Sequence, residues 1–307
     1  MVEVPEELAA HHLKYAHDAG PAWTADLPGL AEHFLDRWGL RPDGAVMHGM
    51  VSLVIPVRRA DGILAALKLQ PATEENIGEG PGLRAWAGDG IVRLLDEATV
   101  PSPTSPHQAN ALLLERLDGD RSLEAVPDSD RALGILADLL ARLAAHQGPE
   151  GLRTLGDIAS DMLEDAPELL PRAHPDDRAW LERSAAAVRE LVDEPGDRLL
   201  HWDLHFDNVL AGAREPWLAI DPKPLVGDPG FELMPALRNR WPSTDVRRTV
   251  LRRFDLMVER LGLERERAVG WTLGRLLQDG LWDLEDGEAR IDQDEIAIAE
   301  ALVNRSR

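Results

Sequence analysis

The chain has 307 residues, 33 of them basic and 55 acidic, for a formal charge of −22, and it has no cysteine. That charge argues against a nucleic-acid or anionic-membrane partner, which would be repelled, and the missing thiols exclude disulfides, thiolate zinc sites and cysteine nucleophiles. The start, Met-Val-Glu-Val-Pro-Glu-Glu, has no basic stretch before an apolar one, and no apolar run approaches membrane length; a soluble, cytoplasmic protein of one large domain or two packed lobes is expected.

In chain order, residues 1–26 carry little pattern. From Leu27 to Leu40, Leu30, Ala31, Phe34, Leu35 and Trp38 recur at the spacing of one helical face. Val51–Val57 and Ile63–Leu69 read as strands joined by an Asp61-Gly62 hairpin turn. Ile91–Leu95 and Ala111–Leu117 read as two more strands, and the proline-rich stretch Thr99–Asn110 between them as an exposed, mobile loop. From Ser129 the pattern turns helical. Arg131–Gln147 is strongly amphipathic with Asp128 or Ser129 as its cap, and further helices are predicted at 155–170, 177–193, 244–261 and 266–284. One strand-like island, Arg198–Ile220, interrupts them. A sheet-rich unit over residues 1–117 and a mainly helical one over 118–307 are expected, which makes the fold class α+β.

The island carries the chemistry. It reads His201-Trp202-Asp203-Leu204-His205-Phe206-Asp207-Asn208 and, after Val209-Leu210, resumes at Trp217-Leu218-Ala219-Ile220-Asp221. Asp203 and Asn208 lie between apolar pairs, and Asp221 ends an apolar strand. Polar groups leaving buried strands are costly unless they bind something. A carboxylate, a carboxamide five residues on and a second carboxylate suit a hard cation such as Mg²⁺, which takes its other ligands from water and phosphate. The chain has three lysines, Lys14, Lys68 and Lys223. Lys68 interrupts the apolar strand Ala65-Ala66-Leu67-Lys68-Leu69, where a lysine is a poor core residue and a good phosphate ligand; the alternative is an edge-strand lysine reaching for water. His201 and His205 lack a third ligand for zinc, so His201 is expected to brace the loop. Asp228 is expected to be a cap, Trp38, Trp86 and Trp241 to be packing residues, and Lys223 to be exposed between its prolines. No Walker A sequence, dinucleotide-binding glycine motif or Gly-x-Ser-x-Gly motif is present.

His-x-Asp-Leu-x-x-x-Asn is the spacing of the protein-kinase catalytic loop, with Trp202 where arginine is usual. With Lys68 before it and Asp221 after it, the chain resembles the aminoglycoside phosphotransferases, which have a bilobal protein-kinase-like fold. Within that family it is most similar to the aminoglycoside/hydroxyurea resistance kinases, the group of the streptomycin 6-kinases. Further stretches carry the resemblance: Gly82-Leu83-Arg84-Ala85-Trp86, Gly90–Leu95, Leu113–Gly119, Ile220–Leu233 and Leu281–Gly287.

The resemblance implies ATP and Mg²⁺, with direct transfer of the γ-phosphoryl group to a hydroxyl of a cationic aminoglycoside, streptomycin at its 6-hydroxyl being the leading acceptor. Asp203 matches the carboxylate that orients the acceptor hydroxyl, and Asn208 and Asp221 match the metal ligands. Lys68 matches the lysine on the α- and β-phosphates. Glu79 stands where its glutamate partner belongs, although Gly78, Gly80, Pro81 and Gly82 disfavour helix there, and Glu74 or Glu75 is the alternative. Gly49 and Ser52 would lie in the phosphate-covering loop, and Glu115 to Leu117 in the hinge facing adenine. For a guanidinium-bearing acceptor, carboxylates with an aromatic neighbour are expected, and Glu232, Asp279, Trp282, Glu285 and Asp286 qualify. The rival readings are a kinase of the same fold acting on another metabolite or on hydroxyurea, and a nucleotide-binding module without transfer activity.

Overall fold

The computed structural model describes residues 2–15 and 19–304. The chain divides into two compact units, Met1–Asp118 and Gly119–Arg307. The first unit begins with helices α1 (Glu6–Tyr15) and α2 (Ala19–Arg37). Strands β1 (Arg41–Pro42), β2 (Met47–His48), β3 (Leu53–Arg58) and β4 (Leu64–Pro71) follow, then helix α3 (Glu79–Trp86) and strands β5 (Leu94–Val100) and β6 (Ala109–Glu115). These strands form one antiparallel sheet in the order β1-β3-β4-β6-β5, with β2 paired to β3.

The two-residue period of the strands sorts side chains between the faces of this sheet. Leu53, Ile55 and Val57 of β3, Ala65, Leu67 and Leu69 of β4, and Ala109, Ala111 and Leu113 of β6 share a core with Trp23, Leu27, Leu30, Ala31 and Phe34 of α2. Ala66, Lys68 and Gln70 therefore point to the other face, and they too are buried. The stripe on α2 begins well before Leu27 and runs through Pro28, which lies inside the helix and masks its period in the sequence.

Two stretches of the first unit differ from what their sequence predicts. The apolar stretch 91–95 is mostly not strand: Ile91 and Val92 are buried ahead of β5, and β5 itself is a half-exposed edge strand, which is why it reads Asp96-Glu97. The proline-rich stretch is shorter than expected and anchored. Val100 belongs to β5 and Ala109 to β6, and the loop between them is tied to Asp26 of α2. The Asp26 carboxylate accepts bonds from Ser102 Oγ (2.6 Å), Thr104 N–H (2.7 Å), Thr104 Oγ1 (3.0 Å) and Ser105 N–H (3.2 Å).

The second unit is mainly helical. Strand β7 (Asp118–Ser122) leads to helices α4 (Ser129–Leu143), α5 (Leu155–Leu169) and α6 (Pro175–Leu191), then to short strands β8 (Arg198–Leu200), β9 (Val209–Ala211), β10 (Leu218–Ala219) and β11 (Leu225–Gly227). Helices α7 (Leu233–Arg238), α8 (Val246–Leu261), α9 (Arg265–Glu285) and α10 (Gln293–Val303) complete it. Asp128 caps α4 by accepting the N–H groups of Asp130 and Arg131. Helix α9 runs through the unit against α5, α6 and α10. Gly270 lets it approach α6, since a Cβ there would meet Leu191 Cδ1 at 2.6 Å. Strands β8 and β11 pair, and β9 bridges β10 and β7, so the polar residues of the island leave short strands at the surface of this helical core. No helix among the described residues is long and apolar enough to cross a membrane.

Replacing Asp26 by alanine removes the acceptor shared by four donors. With one bond to a charged group worth about 1.5–3 kcal/mol, a stability loss of at least that size is expected in urea unfolding. Faster amide exchange confined to 101–108 should accompany it.

Candidate active site

In the first unit, Lys68 Nζ donates to both carboxylate oxygens of Glu79, at 2.8 and 2.7 Å, and Gln70 Nε2 donates to Glu79 at 2.6 Å. Lys68 is 4% exposed and Glu79 1%. Charges this deep persist only when paired and hydrogen-bonded, and removing one partner of such a pair typically costs about 3–5 kcal/mol. The structure thus pairs Lys68 with Glu79 at the head of α3. Gly80 lies against the side chain of Glu97 of β5, whose carboxylate would have to move to admit a Cβ there.

Gly49 and Ser52 form a tight turn between β2 and β3, with Gly49 N–H donating to Ser52 C=O at 2.9 Å. Helix α1 holds this turn from one side, because His12 Nε2–H donates to Val51 C=O at 3.0 Å. Burial lowers the pKa of His12, outweighing the bond to Val51, which by itself favours the protonated ring. Glu115 ends β6 with its N–H bonded to Arg93 C=O (3.0 Å) and its carboxylate to Arg93 N–H (2.9 Å). A hinge contact to adenine therefore cannot use the Glu115 amide. Leu117 is half-buried two residues on.

In the second unit a network of bonds draws Asp203, Asn208 and Asp221 together. Asn208 Nδ2 donates to Asp203 C=O at 2.9 Å, which fixes the orientation of the Asn208 amide. Ile220 N–H donates to Asn208 C=O, 2.9 Å, and His201 Nε2–H to Ile220 C=O, 2.9 Å. His201 is fully buried, and burial pushes its pKa down to about 4, so it stays neutral and its Nδ1 accepts the Asp203 N–H at 3.4 Å. It braces the loop between two strands. Trp202 and Asp221 both adopt left-handed backbone, with φ of 69° and 57°. For residues other than glycine this conformation costs energy and persists where surrounding contacts enforce it.

Glu232 supplies one of those contacts and must be reassigned. It is 0% exposed, and its Oε1 accepts the Trp202 N–H at 3.1 Å. It lies beneath the loop and cannot meet an acceptor in solution. Burial raises its pKa to about 8, more than the N–H groups of Trp202 and His201 and the charge of Arg275 lower it. Arg275 of α9 supplies the opposite contact. Its Nη1 donates to Trp202 C=O at 3.0 Å, its Nε donates to Asp279 at 2.9 and 3.0 Å, and its guanidinium lies over the rings of Trp202, Phe231 and Trp282.

Asp203 opens into a cavity of about 410 Å³ that Asp207, Asp279, Glu124, Arg238, Arg240 and Arg275 also line. The three arginines are committed: Arg238 to Glu295 and Asp292, Arg240 to Glu124, Arg275 to Asp279. Of the expected acceptor residues, Asp279 shares this cavity with Asp203. Trp282 is 38% exposed and tilted against Trp202, with ring centroids 6.2 Å apart. Glu285 and Asp286 are exposed at the end of α9 and do not line the cavity, because Gly287, at φ 87°, turns the chain away from the helix. Asp228 is a cap, accepting from Gly230 N–H and pairing with Arg267. Lys223 is half-exposed between its prolines as expected, but it also stands 3.5 Å from Asp203 Oδ2, a contact that its sequence neighbours do not signal. Sequence patterns also give no sign of Arg275 or of Asn239, which accepts the Phe206 N–H at 2.9 Å. Tryptophan at the usual arginine position was the signal that something else must hold this loop.

An antiparallel sheet that carries a buried lysine–glutamate pair, and a mainly helical unit from which Asp203, Asn208 and Asp221 emerge, are the layout of a phosphotransferase of protein-kinase-like fold. The fold agrees with a solved structure of aminoglycoside phosphotransferase APH(4)-Ia, described as a ternary complex with ADP and hygromycin B, at a TM-score of 0.59 and 14% identity over 90% of this chain and 98% of that one. The chain belongs to the aminoglycoside/hydroxyurea antibiotic resistance kinase family, whose model matches residues 37–287. It is 55% identical to a streptomycin 6-kinase of Streptomyces glaucescens, over 98% of this chain and 97% of that protein. It is 52% identical to a hydroxyurea phosphotransferase of Kitasatospora aureofaciens, over 100% of this chain and 87% of that protein.

Glu232 keeps its proton up to about pH 8 in the folded chain but loses it near 4.5 when unfolded. The native state therefore binds the extra proton in that window, and its stability falls as pH rises through it. Relative to Glu232→Gln, which does not titrate, the wild type should lose up to about 1.4 kcal/mol per pH unit, measured by urea unfolding at a series of pH values. A constant difference between the two proteins would show that Glu232 is already ionised in the fold.

Proposed function

We infer that this kinase transfers the γ-phosphoryl group of ATP to the 6-hydroxyl of streptomycin, in the cytoplasm where ATP is supplied. The observation that carries the acceptor assignment is the 55% identity, over nearly the whole of both chains, to a streptomycin 6-kinase. The site is consistent with it: the candidate acceptor-orienting carboxylate, Asp203, shares its cavity with Asp279, Asp207 and Glu124. Carboxylates of this kind suit an acceptor that carries two guanidinium groups.

Each residue has a distinct task. Asp203 holds the acceptor hydroxyl in line with the γ-phosphorus and takes up its proton as the new bond forms. Lys68, kept straight by Glu79, meets the α- and β-phosphates, and Gly49 and Ser52 cover them. Glu115 and Leu117 border adenine, the latter through its amide. Asn208 and Asp221 would hold Mg²⁺. Two protein oxygen donors are what Mg²⁺ uses when phosphate and water complete its shell, and the Asn208 amide is fixed in orientation. The metal would offset charge on the β- and γ-phosphate oxygens. Transfer is direct, so most of the acceleration comes from positioning and charge neutralisation.

A second reading has support of its own, the 52% identity to a hydroxyurea phosphotransferase. A coupled assay offering streptomycin, other aminoglycosides and hydroxyurea separates the two. Asp203→Asn should lower kcat on the order of 10²–10⁴-fold while leaving nucleotide affinity within a few-fold, since only the acceptor hydroxyl loses its partner. Turnover near that of the wild type would end the assignment of Asp203.

A further inference from the structure

Lys223 lies two residues after Asp221, and its ammonium stands 3.5 Å from Asp203 Oδ2. That gap is too long for a charge-assisted hydrogen bond, which closes at about 2.7–2.9 Å, so the pair is loose. Both side chains reach solvent, at 38% and 29% exposure. The backbone beneath the lysine is held firmly. Lys223 N–H donates to His201 C=O at 3.0 Å. Pro222 and Pro224 restrict the chain on either side, and Asp221 ahead of them is in left-handed conformation at φ 57°. A lysine that merely covered the surface would need no such platform.

The chemistry of transfer places a demand at this point. If Asn208 and Asp221 hold the metal on the phosphates and Asp203 holds the acceptor, the γ-phosphorus travels between them, and its oxygens need a cation there. The arginines lining the cavity are tied to carboxylates, whereas among the described residues the Lys223 ammonium has only its loose contact with Asp203. An ammonium on a flexible stem can follow a moving phosphoryl group better than a planar guanidinium fork, and this chain uses arginine for 30 of its 33 basic residues yet places lysine here.

We propose that Lys223 is a catalytic residue that binds the γ-phosphoryl oxygens during transfer, leaving Asp203 free to engage the acceptor hydroxyl. The acceptor oxygen forms its bond to the γ-phosphorus, the bond from phosphorus to the β–γ bridging oxygen breaks with its electron pair going to ADP, and the hydroxyl proton passes to Asp203. Lys223 changes neither proton nor bond; it offsets charge on the transferring group. The proposal rests on the kinase reading of Asp203, and its test separates the two.

Lys223→Gln and Lys223→Arg are made in the full chain, alone and combined with Asp203→Asn. Affinities for Mg·ADP and for Mg·AMP-PNP, which keeps a γ-phosphoryl group, are measured by titration, and turnover is measured with streptomycin. Lys223→Gln should weaken AMP-PNP at least 5-fold with ADP within 2-fold, and lower kcat on the order of 10²–10³-fold, the cost of losing one preorganised charge contact. Lys223→Arg should recover part of both. In the Asp203→Asn background, Lys223→Gln should still lower the residual rate at least 10-fold, because the two residues hold different groups. Equal effects on ADP and AMP-PNP, or no further loss in the Asp203→Asn background, would overturn the proposal and leave Lys223 as a counter-ion that orients Asp203. If no acceptor is phosphorylated by the wild type, the function proposed above fails, while the two affinities still decide whether Lys223 meets a γ-phosphoryl group.

Discussion

The peptide groups on both sides of Trp202 are tied down, and the candidate site depends on that restraint. Trp202 sits at φ 69°, a conformation that costs a residue with a side chain roughly 1–2 kcal/mol. Its N–H is held by buried Glu232 and its C=O by Arg275, while its ring is stacked against that same guanidinium and near Trp282. The turn this enforces sends Asp203 into the cavity instead of back into the apolar layer formed by Leu199, Leu200 and Leu204. Asp221 repeats the device at the end of the neighbouring segment, and His201 joins the two through Ile220. Strain at these two residues is therefore part of how carboxylates are delivered from a dry core to a wet surface.

The same economy governs charge elsewhere. Lys68 and Glu79 are both almost fully buried, on the sheet face opposite α2, and they tolerate that position because each satisfies the other and Gln70 adds a further bond. In the second unit, Arg275 is shared between Asp279 and the Trp202 carbonyl, so the carboxylate expected to face a cationic acceptor is physically connected to the loop that carries Asp203. Two of the arginines around the cavity are paired with its own carboxylates, Arg275 with Asp279 and Arg240 with Glu124, in a chain whose overall charge is strongly negative.

Much of this molecule is legible from its residues alone. Helices α4, α5, α6, α8 and α9 follow from apolar spacing and caps such as Asp128, because a helix buries one stripe and its period is local. Lys68, Asp203, Asn208 and Asp221 stand out because charge or amide interrupts apolar strands, which is conspicuous without any knowledge of the fold. What sequence could not decide was which carboxylates are buried and which reach the cavity. Glu232 and Asp279 look alike as letters, yet the first is sealed beneath Trp202 and the second lines the cavity. Nor could it show that the stretch after β5 is anchored by Asp26, more than seventy residues earlier, or that Lys223 comes to Asp203 from another turn of chain. Spacing encodes neighbours a few residues apart, whereas burial, ion pairing and the direction of a side chain are set by segments that meet only when the core closes.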